Sequence, residues 1–317
     1  MVVGSLVMDL IVSSHRFPAS GETVIGCGFQ TAAGGKGANQ AVQAARLGAA
    51  VTMVGKVGQD RFGQELLESV RKSGVDVSHV IRTAEAPSAV GNVQLEVTPH
   101  HAANRIVVVP GANMCITKED VAFLEKDITH YDMVILQMEI PMEINQTVIR
   151  YAHRQHVPVM LNVAPYAPVP PECLSMIRYI SPNEHEATDM AGVTVTDEST
   201  ARQAISRLMD TGVEHVIITM GRRGAAFGSR DEFFVSPCIP DVLVQDPTAA
   251  GDSFVGAFCT GVCCGLSHPK AMEFANYTAS LTVSRMGAQP SLPTIEDVVS
   301  FMKKRGADTR DLHVLLA

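Results

Sequence analysis

Val244-Gln245-Asp246-Pro247-Thr248-Ala249-Ala250-Gly251-Asp252-Ser253-Phe254-Val255-Gly256-Ala257-Phe258 reads as a strand-like approach, a run of small residues and then a helix rich in glycine and alanine. The first amides of a helix have no intrahelical acceptor, so such a start is a ready anion hole. Small side chains at Ala249, Ala250 and Gly251 leave room for a phosphate there. Asp252 falls in the first helical turn, where an acid suits the helix dipole whatever else it does. Beside a bound phosphate the same carboxylate is placed to act as a general base on an attacking hydroxyl.

On either side of this stretch, apolar strand-length runs alternate with helix-length amphipathic runs. Strands are expected over 2–7, 51–54, 133–137, 157–163 and 215–219. Helices are expected over 37–47, 61–72, 118–126, 141–156, 197–211, 251–265, 270–285 and 295–304. This alternation predicts an α/β fold with a doubly wound, mainly parallel sheet covered on both faces. The 317 residues are read as one domain. Two stretches break the rhythm. Residues 17–30 and 88–110 read as β without helices, with a half-buried alternation over Asn92–Val97, a polar turn over Thr98–Asn104 and a returning strand over Arg105–Val109. A small sheet, from about 10–33 and 88–110, would stand off the main one as a lid over a cleft. The His100-His101 pair at the expected hairpin tip reads as solvent-exposed.

A second glycine-rich segment, Gly34-Gly35-Lys36-Gly37-Ala38-Asn39-Gln40, precedes a helix. It lets backbone approach a ligand closely and adds one cation and one amide, but it also fits an ordinary helix-capping loop. It lacks the spacing of a Walker P-loop, and Gln40 stands where a dinucleotide fingerprint needs its third glycine. In Ser181-Pro182-Asn183-Glu184-His185-Glu186, the Asn183–Glu186 spacing suits either the water shell of Mg²⁺ or a helix capping box. Asp9 and Glu139 each follow a strand-like run and read as sugar ligands or solvated strand ends, and His185 as a participant or a surface neighbour.

Composition narrows the classes. Apolar residues at 46% allow a sizeable core, and charged residues at 18% argue against long disordered tails. A net charge of −8 lacks the basic stripe of a nucleic-acid surface. Seven cysteines, an odd number with no paired CxxC, read as reduced thiols of a cytoplasmic protein, and Cys259, Cys263 and Cys264 as three buried core thiols. The first residues lack a basic leader and carry Asp9, so no signal peptide is expected. No apolar run approaches the ~20 residues of a membrane span.

Taken in order, AGGKGANQA (33–41), QMEIP (137–141), NVAP (162–165), SPNEHEA (181–187), ITMGRRG (218–224), DPTAAGDSFVGAF (246–258) and GAQPS (287–291) resemble the ribokinase, or phosphofructokinase-B, family of sugar kinases. The likeness covers nearly the whole chain. It implies an ATP-dependent phosphotransferase acting on the primary hydroxyl of a pentose, ribose first, with Asp252 as catalytic base. It further implies that the amides of Ala249, Ala250 and Gly251 hold the developing charge, and that Asp9, Gly35, Lys36, Asn39 and Glu139 bind the sugar. Asn183, Thr219, Gly221, Gly224 and Gly251 would line the ATP site. Asn183 and Glu186 would organise Mg²⁺ through water. Asp246, Thr248, Thr282, Arg285, Gly287 and Ser291 would surround K⁺, largely through backbone carbonyls. A homodimer through the lid is implied as well.

The chain departs from the family pattern at Val7, where many members carry an asparagine that contacts the sugar, and at Pro247 and Ala249. Val7 bears on which sugar is accepted, so deoxyribose, a ketohexose or a sugar acid stand beside ribose. A non-catalytic sugar sensor would be expected to lose Asp252 or Gly251, and both are present. A nicotinamide-dependent oxidoreductase would need a GxGxxG loop after the first strand, which Gly4-Ser5-Leu6-Val7 does not supply.

Overall fold

The computed structural model describes residues 1–98 and 101–315, without the side chains at 98, 101–104, 313 and 314. His100, with the side chain of His101, lies outside the described residues. The main sheet has nine strands in the order Phe233–Ser236, Ala225–Gly228, His215–Thr219, Tyr179–Ile180, Val159–Leu161, Val134–Leu136, Val2–Val3, Thr52–Gly58 and Asp76–Thr83. All neighbours pair in parallel except the last two antiparallel strands on the Phe233 side. The strands alternate their side chains between two cores. Val2, Met53, Ile135 and Met160 pack on one face against Ala38, Val42, Phe254 and Phe258. Val3, Val54, Val134 and Leu161 pack on the other against Ile144, Val148 and Ile205.

Strand order reverses between Val2–Val3 and Val134–Leu136, and in open α/β sheets the crevice beyond such a switch point is where ligands bind. At this point the chain leaves the main sheet. Residues 2–7, expected as one strand, are two: Val2–Val3 ends at Gly4, and Val7–Ser14 begins in a second sheet. That sheet, in the order Gly28–Gly34, Val7–Ser14, Ala89–Thr98 and His101–Val109, sets Asp9 opposite Ala32 and Gly91. The return strand starts earlier than the polar turn over Thr98–Asn104 suggests, because Asn104 pairs with Leu95 in the ladder. Residues 17–27 contribute no strand.

Helices Arg61–Lys72 and Ile295–Lys304 fall where the periodicity puts them, the first capped by the Asp60 side chain on the Gly63 amide at 2.8 Å. The helix expected over 118–126 shrinks to Leu124–Asp127 after a run of turns. Of the three cysteines expected in the core, only Cys259 is buried, since Cys263 and Cys264 lie at the exposed end of their helix.

Helix Lys36–Arg46 starts hard against the crossover: a Cβ on Gly37 would come within 2.5 Å of the Ser5 amide nitrogen. At Gly251, by contrast, a Cβ would meet nothing within 4 Å. Gly37→Ala is therefore expected to cost about 1–3 kcal/mol, and Gly251→Ala to stay within about 1 kcal/mol of wild type, in paired denaturant melts.

Candidate active site

The approach to helix Ala250–Cys263 is not a strand: residues 237–249 run as an irregular loop, and Ala249 ends it in the left-handed region at φ 59. That conformation is uncommon for a residue with a Cβ, and it turns the chain abruptly into the helix. No side chain caps this helix start. Ala249 and Ala250 are half-buried and Gly251 is exposed, so the start of the helix is open to a ligand.

Asp252 is 6% exposed and lies between this helix and Lys36–Arg46. Its two oxygens are held separately. Asn39 Nδ2 donates to Oδ2 at 2.8 Å, and Gln40 Nε2 donates to Oδ1 at 3.1 Å. Asn39 Oδ1 is buried with no partner among the described residues, an acceptor that a ligand hydroxyl would satisfy.

Two cavities meet at this point. One, of about 280 Å³, is lined by Lys36, Asn162, Asn183, Glu186, Ala249 and Asp252, among others. The other, of about 340 Å³ and mostly apolar, is lined by Thr219, Gly221, Gly224, Val244, Phe254 and Asn276, among others. Both include Thr219, Pro247, Ala250 and Gly251, so the helix start is their common wall. Gly224, at φ 85, has no room for a Cβ against the Ser236 carbonyl.

The switch point supplies the remaining charged groups. Glu139, just after strand Val134–Leu136, accepts from the Lys36 amide at 3.0 Å and from the Ser5 hydroxyl. It thereby ties the two sides of the strand reversal together. Burial alone would lower the pKa of Lys36, but the charges of Asp252, Glu139 and Glu186 outweigh it and leave the ammonium above its ordinary value. Asp9 reaches in from the second sheet, and Cβ atoms at Gly34 or Gly91 would overlap its carboxylate, so both glycines make its niche. Burial there pushes the Asp9 pKa up to about 7, with the charges of Glu139, Asp246 and Asp252 adding to the effect.

Asn183 and Glu186 form a reciprocal capping box: Asn183 Oδ1 accepts from the Glu186 amide at 2.9 Å, and Glu186 Oε2 accepts from the Asn183 amide at 2.7 Å. Both nevertheless line the smaller cavity, so the capping role and a site role coexist. Burial raises the Glu186 pKa above its ordinary value. His185 is exposed and lines neither cavity.

Of the six residues expected around a monovalent cation, Asp246 and Thr248 lie on the loop before helix Ala250–Cys263, Thr282 in the last turn of helix His268–Val283, and Arg285, Gly287 and Ser291 on the segment that follows it. Asp246 accepts from the amides of Thr248 and Gly287, both at 2.9 Å, and its own amide donates to Val283 O at 3.2 Å. The hydroxyls of Thr282 and Ser291 bond to Thr278 O and Ala288 O, and Arg285 pairs with Asp297 at 3.0 Å. A cation here would draw on backbone carbonyls. Among the described residues no three His, Cys, Asp or Glu side chains cluster as a metal site would require.

Sequence reading missed the amides behind Asp252, namely Gln40, Gln137 and Asn162, and the second-cavity wall at Phe254 and Asn276. The available signal for Gln40 was a polar residue on the buried face of an amphipathic helix.

A doubly wound sheet, a switch-point crevice and an uncapped helix start beside a buried carboxylate together describe a phosphotransferase scaffold. The chain belongs to the pfkB family of carbohydrate kinases, whose profile matches residues 1–295, and so to the phosphotransferases that use an alcohol group as acceptor. Among its relatives, the ribokinase of Bacillus subtilis is 38% identical over 297 residues, covering 94% of this chain and 97% of that protein. The ribokinase of Schizosaccharomyces pombe is 37% identical over 310 residues, covering 94% and 96%. Arabidopsis thaliana ribokinase, solved in complex with ribose and ATP, superposes with a TM-score of 0.86 at 35% identity over 95% of this chain and 97% of that one.

The raised Asp9 pKa has a definite stability signature. A carboxyl whose folded pKa exceeds its unfolded value of 3.8 stabilises the fold at low pH, and that contribution is lost as pH rises through about 7. Above pH 7 the ionised group is a burden, so Asp9→Asn should be more stable than wild type at pH 8, by roughly 1–4 kcal/mol. The gain should fade toward pH 4. Ligand-free melts of both proteins across this range measure it.

Proposed function

We propose that this chain is an ATP-dependent kinase that phosphorylates the primary hydroxyl of D-ribose to give ribose 5-phosphate. The observation that carries the reading is the position of Asp252: buried, held by one amide on each oxygen, and set where two cavities meet at an uncapped helix start. ATP occupies the apolar cavity past Thr219, Gly221 and Gly224. Its terminal phosphate lies over Ala249, Ala250 and Gly251, and the sugar lies beside Asp9, Gly35, Lys36, Asn39 and Glu139. Asp252 accepts the proton of the sugar hydroxyl as that oxygen attacks the γ-phosphate, and the helix-start amides hold the charge that develops.

Asn183 and Glu186 would hold hydrated Mg²⁺, whose oxygen preference their side chains match. When bound, that ion offsets phosphate charge. K⁺ would sit between the Asp246–Thr248 loop and the segment from the end of helix His268–Val283 to Ser291. The whole chain, 1–317, acts as one unit in this reading, with the small sheet as a lid that brings Asp9 to the sugar. Phe29 and Val107 are 68% and 66% exposed and share one face of that sheet, an apolar face suited to a second copy of the chain. All seven cysteines stand unpaired, in keeping with a reducing cytoplasm, and among the described residues no helix is long and apolar enough to cross a membrane. Val7, buried beside the Asp9 niche, makes that wall apolar and is the residue to change if ribose proves a poor substrate.

ADP release from Mg-ATP is expected with ribose, faster with K⁺ than without, and weaker with deoxyribose, fructose or nucleosides. Asp252→Asn should lower kcat by roughly 10²–10⁴ while leaving the ATP dissociation constant within about threefold. Turnover confined to another sugar would retain the kinase and reassign its substrate, and ATP binding with no turnover on any sugar would point to a sensor. Sedimentation of wild type as a dimer, with Val107→Lys shifted to monomer, is the outcome expected of the lid interface.

A further inference from the structure

Behind Asp252 runs a chain of buried amides. Asn162 Nδ2 donates to Ser181 O at 2.8 Å, which turns Asn162 Oδ1 toward Gln40. Gln40 Nε2 donates to that oxygen at 3.3 Å and to Asp252 Oδ1 at 3.1 Å, so both of its hydrogens are used. Gln40 Oε1 accepts from Gln137 Nε2 at 2.7 Å, and Asn145 Nδ2 donates to the main-chain carbonyl of Gln137 at 2.8 Å. Gln40 and Gln137 are both 0% exposed.

The donor sense of this chain is not free to reverse. The Ser181 carbonyl can only accept, which makes Asn162 a donor there and an acceptor toward Gln40. A flipped Gln40 would set its carbonyl oxygen against both Asn162 Oδ1 and the Asp252 carboxylate. Each Asp252 oxygen thus receives one fixed amide donor and keeps lone pairs for a hydroxyl. Asn39 is the less rigid of the two donors, since its own Oδ1 has no protein partner.

From this geometry we infer that Gln40 is a positioning residue: braced by Gln137 and polarised by Asn162, it fixes the Asp252 carboxylate in the rotamer from which it takes the substrate proton. The inference rests on Asp252 being the base, and the test separates the two. Gln40→Met keeps the length and apolar packing but removes all three hydrogen bonds. It should lower kcat about 10–100-fold with ribose KM and the ATP dissociation constant within about threefold. The decisive measurement is the double-mutant cycle with Asp252→Asn. If Gln40 acts through the carboxylate, Gln40→Met has no further effect on the residual rate of Asp252→Asn. An equal loss in both backgrounds, or a kcat within twofold of wild type in the single variant, overturns the inference. Asp252→Asn with undiminished kcat overturns the base assignment instead. Should Gln40→Met not fold, Gln137→Met decides the matter. It removes only the brace, so a kcat loss of about 2–10-fold at unchanged KM supports the inference, and wild-type kcat sinks it.

Discussion

The arrangement of this molecule depends on holding one ionisable carboxylate, Asp252, between two helix starts. Helix Lys36–Arg46 supplies Asn39 and Gln40, and helix Ala250–Cys263 supplies the carboxylate and the open amides. A carboxylate taken out of water is costly unless it is hydrogen-bonded, and here side-chain amides do that while leaving it reactive. The helices must therefore pack closely. Residues of small volume allow this: a Cβ on Gly256 would lie 3.0 Å from the Gln43 side chain, and Ala38 and Ala41 are fully buried.

The second requirement is that the sheet deliver several chain segments to the same place. Strand reversal between Val2–Val3 and Val134–Leu136 leaves a crevice, and Glu139 closes its floor by accepting from Ser5 and the Lys36 amide. Because the chain leaves the main sheet at Gly4 and re-forms a strand at Val7, Asp9 arrives from a separate sheet. The carboxylates of Asp252 and Asp9 thus sit on different elements, one in the packed core and one on an appendage whose outer face is exposed.

Most of the architecture was readable because period and capping agreed. Thr294 and Asp297 form the capping box that opens helix Ile295–Lys304, and Asp197 and Thr200 form the one that opens Glu198–Met209. Legibility failed where tertiary contact overrode local pattern. Residues 2–7 are apolar around Gly4 and Ser5 and read as one strand, although Gly4 must approach the Gly37 backbone and end it. The stretch before Ala249 looks like a strand but must bend around Asp246. At the site, glycines and acids stand out by type, so Asp9, Lys36, Asn39 and Asp252 were visible. Gln40 and Gln137 were not. For Gln40 the sequence offers no more than a polar residue on the buried face of a helix, and its meaning lies in partners 97 to 212 residues away along the chain.

Charge balance explains why such a site is built around so few cations of its own. The charges of Asp252, Glu139 and Glu186 act on Lys36, those of Glu139, Asp246 and Asp252 act on Asp9, and the chain as a whole carries −8. A polyphosphate entering this field would be repelled by more carboxylates than Lys36 can offset. The Asp9 pKa, raised first by burial, is pushed up further by the charges of Glu139, Asp246 and Asp252, the same crowding seen from the protein's side. Positive potential at the phosphate position must therefore come from oriented amides at the helix start and from bound cations, since a second buried lysine would pair with the carboxylates instead. In the proposed reaction these acids are compatible with phosphate chemistry because, beside bound cations, the phosphate end would be held by dipoles, which carry no net charge and cannot be neutralised by a neighbouring carboxylate.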